Sequence, residues 1–120
     1  SVFLLKMSIP RLKKRSQFLA VSKRGVCYKT PHLIFKACPM DEKTGEGFGL
    51  TVSKKVGNAV KRNKVKRRLR ESIRLFLKKA PLESSTAYVI IAKNHARSAS
   101  FVELCDQVDK ALLYFKEKLA

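Results

Sequence analysis

The side chains of this chain that could do chemistry are cations, and the chemistry they suit is the holding of phosphates. Between Lys54 and Lys79 stand twelve Lys or Arg against a single acid, Glu71. Such a row can neutralise a row of phosphodiesters, each cation bringing charge and hydrogen-bond donors together. Asn58 and Asn63 interrupt it with neutral donors and acceptors, and Gly57 permits close backbone approach. Lys54 and Lys55 stand just before a helix start, where free backbone amides favour phosphate, so several donors converge on one place. Groups suited to catalysis are scarce. His32 and His95 stand alone, with no partner at metal-ligand spacing and no acid that spacing assigns to them. The acids lie mostly in a loop near residue 42 and on the last helix, and none forms a carboxylate pair beside the basic stretch. GEGFG at 45–49 leads into a strand instead of out of one, so it reads as a turn and not as a phosphate loop.

The element that must carry most of these cations is a helix. From Ala59 to Lys79 the apolar residues Val65, Leu69, Ile73, Phe76 and Leu77 recur at helical spacing. Asn63, Lys66, Arg67, Arg70 and Arg74 fall beside that seam or away from it, so one face packs and the other is cationic. Arg62 falls on the apolar side of an ideal wheel. Like charges at Arg62/Lys66, Lys66/Arg70 and Arg70/Arg74 repel by roughly 0.2–0.5 kcal/mol per pair. Something other than folding must favour the arrangement.

A strand, Gly49 to Ser53 or from Phe48, feeds this helix. Upstream, RLKKRSQFLAVSKRG predicts a short helix with Ser16 as its cap, Phe18, Leu19 and Val21 as apolar contacts, and Gly25 in a left-handed terminating position. Seven cations and no acid lie between Lys6 and Arg24, a second basic surface. Val26–Thr30 and His32–Cys38 are β-rich, with Thr30-Pro31 as an edge or bulge. Pro39–Gly47 reads as a hairpin loop, after which the strand from Phe48 returns antiparallel, giving a small meander. LESS at 82–85 is a turn, and Ala87–Ala92 (AYVIIA) is a strand covered on at least one face. Ser100 and Glu103 form a capping box that opens a near-neutral helix, with Phe101, Leu104, Val108, Ala111, Leu112, Phe115 and Leu119 on one side. The order is helix, three strands, basic helix, strand, helix: an α+β fold with a single sheet of about four strands packed with helices. The basic helix connects two strands that could lie parallel.

The 120 residues fit one domain and are 45% hydrophobic, enough for an ordinary core. The formal net charge of +18 points to a polyanion, nucleic acid before an anionic membrane, because the apolar seam is narrow enough for a sheet to cover. Cys27, Cys38 and Cys105 are an odd count without a close pair, which argues for a reducing compartment and small buried thiols, against disulfides and zinc. No run reaches the roughly 18 apolar residues of a membrane span, and SVFLLK has its charge on the wrong side for a secretory signal. These readings place the chain in the cytoplasm. Residues 1–6 read as a tail upstream of a natural start at Met7, with 7–120 as a single RNA-binding domain. Phe18 and Phe35 are open to two roles, as platforms for unpaired bases or as core.

SKKVGNAVKRNKVKRRLRE closely resembles the arginine-rich signature of the bacterial ribonuclease P protein subunit: Lys-Lys after a strand, a Gly-Asn turn, then Arg-Asn-x-x-Lys-Arg-x-x-Arg on a helix. RLKKRSQF, GLTVSKK and YVIIAK agree as flanks, and the resemblance spans Met7 to Leu119. It implies that an RNA subunit with Mg²⁺ is the catalyst, hydrolysing a phosphodiester to remove the 5′ leader of precursor tRNA. The protein would bind that RNA and the leader, Mg²⁺ would be held mainly by the RNA subunit and substrate, and no obligate protein partner is inferred. Carried over by motif position, the RNA-contacting set is Lys54, Lys55, Asn58, Arg62, Asn63, Lys66, Arg67 and Arg70. The resemblance also implies a leader cleft between the sheet and the first helix, with two aromatics four apart. Phe18 matches the first and Ser22 departs from the second, leaving Lys36 on the adjoining strand as a substitute contact through phosphate. A left-handed crossover through the basic helix is implied as well. The alternative reading is a ribosomal or general RNA-binding protein. A nuclease in its own right is disfavoured by the missing catalytic side chains.

Overall fold

The continuous apolar run of residues 87–92 settles the architecture, because a strand apolar on both faces is stable only where both are covered. The structure, a computed structural model, describes Leu12 and residues 15–39, 47–80 and 86–119. Its elements are α1 (Arg15–Arg24), β1 (Val26–Lys29), β2 (Leu33–Pro39), β3 (Gly47–Val52), a 3-10 turn (Lys54–Val56), α2 (Ala59–Lys79), β4 (Thr86–Ala92), a second 3-10 turn (Asn94–Ser98) and α3 (Phe101–Lys118). The tail at 1–6, the middle of the 39–47 loop and the turn at 82–85 lie outside the described residues.

The sheet order is β1-β2-β4-β3. β4 pairs antiparallel with β2 and parallel with β3. The expected meander is therefore wrong: β4 is inserted between β2 and β3, and the loop between those two strands is not a hairpin. β3 carries Gly47, Gly49 and the exposed Thr51 and suits an edge, whereas β4 buries Ala87, Tyr88, Val89 and Ile90. The parallel relation of the strands joined by α2 is as expected.

Alternation assigns the faces. Leu33, Phe35 and Ala37 of β2, Phe48 and Val52 of β3, and Tyr88, Ile90 and Ala92 of β4 form the main core with Val65, Leu69, Ile73, Phe76 and Leu77 of α2 and Leu104, Val108, Ala111, Leu112 and Phe115 of α3. Phe48 and Tyr88 stack at 4.8 Å. Phe35 is fully buried there, so it is core and no platform for a base. On the other face Leu12, Val21 and the half-buried Phe18 of the α1 segment cover Cys38, Ala87 and Val89.

Three local readings change. Ser16 lies inside α1, not before it. Gly25 is not left-handed; it is glycine because a Cβ there would lie 2.3 Å from the Val21 carbonyl oxygen, to which the Gly25 N–H donates. Leu19 is exposed, as is Cys27, and of the three free thiols only Cys38 is buried.

The β1–β2 turn is tied to α3 by a polar cluster. Gln107 Oε1 accepts from the Thr30 hydroxyl at 2.7 Å and the His32 N–H at 3.0 Å, while Gln107 Nε2 meets His32 Nδ1 at 2.8 Å. Burial of Thr30 and Gln107 is thereby satisfied. The two histidines that seem alone in sequence meet edge to face at 5.1 Å.

Candidate nucleic-acid interface

The Lys54–Val56 turn and the first turn of α2 build the cationic end of the molecule. Val56 is fully buried and pins the turn, leaving Lys54 and Lys55 exposed just after the end of β3. Gly57 follows at φ 153°, a backbone that side chains rarely adopt. Asn58 then caps α2, its Oδ1 accepting from the Lys61 N–H at 3.0 Å. One acceptor of Asn58 is thus spent on folding, and its amide nitrogen remains as a donor.

From that cap α2 runs as a regular helix: the Arg62 N–H donates to the Asn58 carbonyl at 2.9 Å. The position of Arg62 on the apolar side of the wheel is therefore not relieved by an irregular first turn. The side chain is half-buried, with its Nε buried and without a hydrogen-bond partner among the described residues. Leaving such a donor unpaired costs about 1–3 kcal/mol. Asn63 and Arg67 are exposed on the crest, and Lys66 and Arg70 are half-buried on the flank that faces β3.

That flank opens into a groove of about 140 Å³ lined by Leu12, Phe18, Phe48, Gly49, Leu50, Lys66 and Arg70. Here Leu12 lies beside β3, its N–H donating to the Phe48 carbonyl at 3.2 Å. Phe18 lies over Gly49, where a Cβ would come within 2.3 Å of its ring. An aromatic ring, bare backbone and two cations thus share one wall-to-wall cleft, and two sets that sequence reasoning kept apart become neighbours. Lys36 stands on the same sheet face as α1, half-buried and opposite Cys27 and Val89. Ser22 is exposed on α1. Neither lines the groove.

Among the described residues two ion pairs engage cations of α2. Glu71 pairs with Arg74, and that hydrogen bond holds the Glu71 carboxyl below its ordinary range. Lys79 meets Asp109 at 3.2 Å, pinning α2 to α3. Sequence reasoning missed Arg97, which approaches α2 from the Asn94–Ser98 turn; no helical wheel joins it to that helix. Its only signal is the basic KNHARSA loop following β4.

The ribonuclease P family profile matches residues 8–116. The chain belongs to the ribonuclease P protein family. The ribonuclease P protein component of Gluconacetobacter diazotrophicus is 39% identical over 102 residues, covering 85% of this chain and 87% of that protein. That of Clostridium kluyveri is 36% identical, with 85% and 90% covered. The solved Staphylococcus aureus RNase P protein superimposes with a TM-score of 0.74 at 28% identity, over 88% of this chain and 93% of the other. The Thermotoga maritima RNase P protein shares the fold, at a TM-score of 0.71 and 24% identity. Membership makes this chain a subunit of an endoribonuclease that associates with an RNA subunit.

Proposed function

We propose that the cations of the Lys54–Val56 turn and α2 bind the catalytic RNA subunit of ribonuclease P, while the cleft beneath α1 receives the 5′ leader of precursor tRNA. The supporting observation is the groove in which Phe18 and Gly49 adjoin Lys66 and Arg70. It offers a stacking surface and phosphate-binding charge within one strand's reach, which suits single-stranded RNA emerging beside a structured one. Lys54, Lys55, Asn58, Arg62, Asn63 and Arg67 extend the charge towards the RNA subunit. Lys36 and Ser22 flank the leader's path on the sheet and on α1.

Phosphodiester hydrolysis falls to the RNA. Mg²⁺ seeks hard oxygen ligands, and among the described residues no three His, Cys, Asp or Glu side chains gather to offer them. The Mg²⁺ of the reaction is assigned to RNA and substrate, whose phosphate oxygens are ligands of that kind. The protein's contribution is electrostatic and positional: it offsets repulsion between two RNAs and holds the leader in register.

The test is cleavage of precursor tRNA by the cognate RNA subunit at low Mg²⁺, with and without this protein. Cleavage should depend on its addition, and an unchanged rate would overturn the reading.

A further inference from the structure

Helix α2 bears cations on both sides of its packed seam. At 100° per residue Lys66 and Arg70 point towards β3, whereas Lys61, Lys64 and Arg68 lie on the opposite side. That second flank faces the Asn94–Ser98 turn, and the two enclose a groove of about 310 Å³ lined by Lys61, Lys64, Val65, Arg68, Arg97 and Ser98. Four of its six lining residues are cations and none is an acid.

Two features make this a prepared surface and not a solvated face. Both guanidinium groups are anchored: Arg68 Nη1 donates to the Ala99 carbonyl at 3.1 Å and Arg97 Nη1 to the Val56 carbonyl at 3.0 Å. Each anchor uses one of five donors and fixes the plane of the rest, so less freedom remains to be lost when an anion binds. Lys61 and Lys64, by contrast, have no ion pair or side-chain hydrogen bond among the described residues. The charge of Lys64 repels that of Arg68 at i, i+4.

We infer that this groove is a second phosphodiester site, taking an RNA segment separate from the one that meets Lys66 and Arg70. The lining selects the ligand. It holds no aromatic ring on which a base could stack, and Val65 is its only aliphatic residue, so it suits a sugar-phosphate backbone. The two flanks stand on opposite sides of a helix about 10–12 Å across with its side chains. A single strand in both grooves would have to climb over the crest at Asn63 and Arg67. Two segments fit without that detour, and α2 then sits between them as a wedge.

The inference rests on the functional reading above for the identity of the RNA. A Lys61→Ala/Lys64→Ala variant and a Lys66→Ala/Arg70→Ala variant are compared with the unaltered protein on the cognate RNA subunit together with leader-bearing precursor tRNA, by affinity across a salt series and by hydroxyl-radical footprinting of both RNAs. Lys61 and Lys64 are exposed, so their replacement leaves the fold intact. Each variant should flatten the log–log salt slope by about 1.8, two contacts at roughly 0.9 each, and each should lose protection of a different RNA segment. Loss of the same segment by both, or an unchanged slope and footprint for Lys61→Ala/Lys64→Ala, would overturn the second site. If the unaltered protein does not bind the RNA subunit, the functional reading fails. The same series on a plain RNA duplex then decides the site: a flattened slope for Lys61→Ala/Lys64→Ala upholds it, and an unchanged one overturns it.

Discussion

Gly49 decides where Phe18 sits. A methyl group at Gly49 would lie 2.3 Å from one ring carbon and 2.5 Å from the next, too close for either to stay. The ring is the far end of a flexible side chain, so it should swing aside while the strand holds. Gly49→Ala is therefore expected to weaken binding of leader-bearing precursor tRNA several-fold, with mature tRNA affected little and the melting temperature almost unchanged. Comparing the two affinities and a thermal melt checks this; equal loss on both RNAs would detach Phe18 from the leader. Arg67 and Leu69 make a second contrast, two residues apart on opposite sides of α2. Leu69 is fully buried in the main core and Arg67 is exposed. Leu69→Ala should cost about 2–5 kcal/mol in denaturant unfolding, whereas Arg67→Ala should lower RNA affinity and leave the unfolding curve in place. This division was legible from helical spacing alone. The partnership of Phe18 with Gly49 was not, since no periodicity links a helix residue to a glycine on a distant edge strand.

At the level of elements, both long helices announce their starts and seams in the sequence. The seam of α2 is as the spacing predicts, with the addition of Ser72, whose buried hydroxyl returns to the Arg68 carbonyl at 2.8 Å. The capping box of α3 is also present: Glu103 N–H donates to Ser100 Oγ and Ser100 N–H to the Glu103 carboxylate. The Ser100 backbone bond, followed by its hydroxyl, holds the Glu103 carboxyl below its ordinary range. A depressed carboxylate stabilises the fold above its unfolded pKa and ceases to do so as pH falls through the lowered folded value. The difference in melting temperature between the natural protein and Glu103→Ala should accordingly be full near neutrality and shrink below the ordinary carboxylate range. Melts at a series of acidic pH values measure it, and a constant gap would mean that the carboxylate charge is irrelevant to the cap. The cap of α1 could not be read in the same way. Ser16 has the right residue type, but the helix already includes Arg15.

For the whole molecule, class, element order and the cationic helix were legible, and sheet order was not. An apolar run such as residues 87–92 reports that a strand is buried without naming its neighbours, and nothing in it separates a return of β3 beside β2 from the insertion of β4 between them. Long-range side-chain meetings were invisible for the same reason, among them His32 with His95 and Arg97 with Val56. Charge, however, is a property of the whole chain and needs no register. The chain carries a formal +18, while α3 stays near neutral, so the excess falls on the stretch from Lys54 to Lys79 and on the segment from Lys6 to Arg24. Salt must then act with opposite signs on two measurements. It screens repulsion among these cations, with a Debye length of about 10 Å at 0.1 M falling to about 3 Å at 1 M, and should raise the melting temperature of the free protein. It also removes the counterion-release gain on RNA, so affinity should fall with a log–log slope of about −4 to −5 if some six phosphates are engaged. Thermal melts and binding titrations over one salt series test both at once. A flat binding slope would rule out phosphate-dominated recognition, and a melting temperature that falls alongside affinity would mean that the crowded cations are already neutralised within the fold.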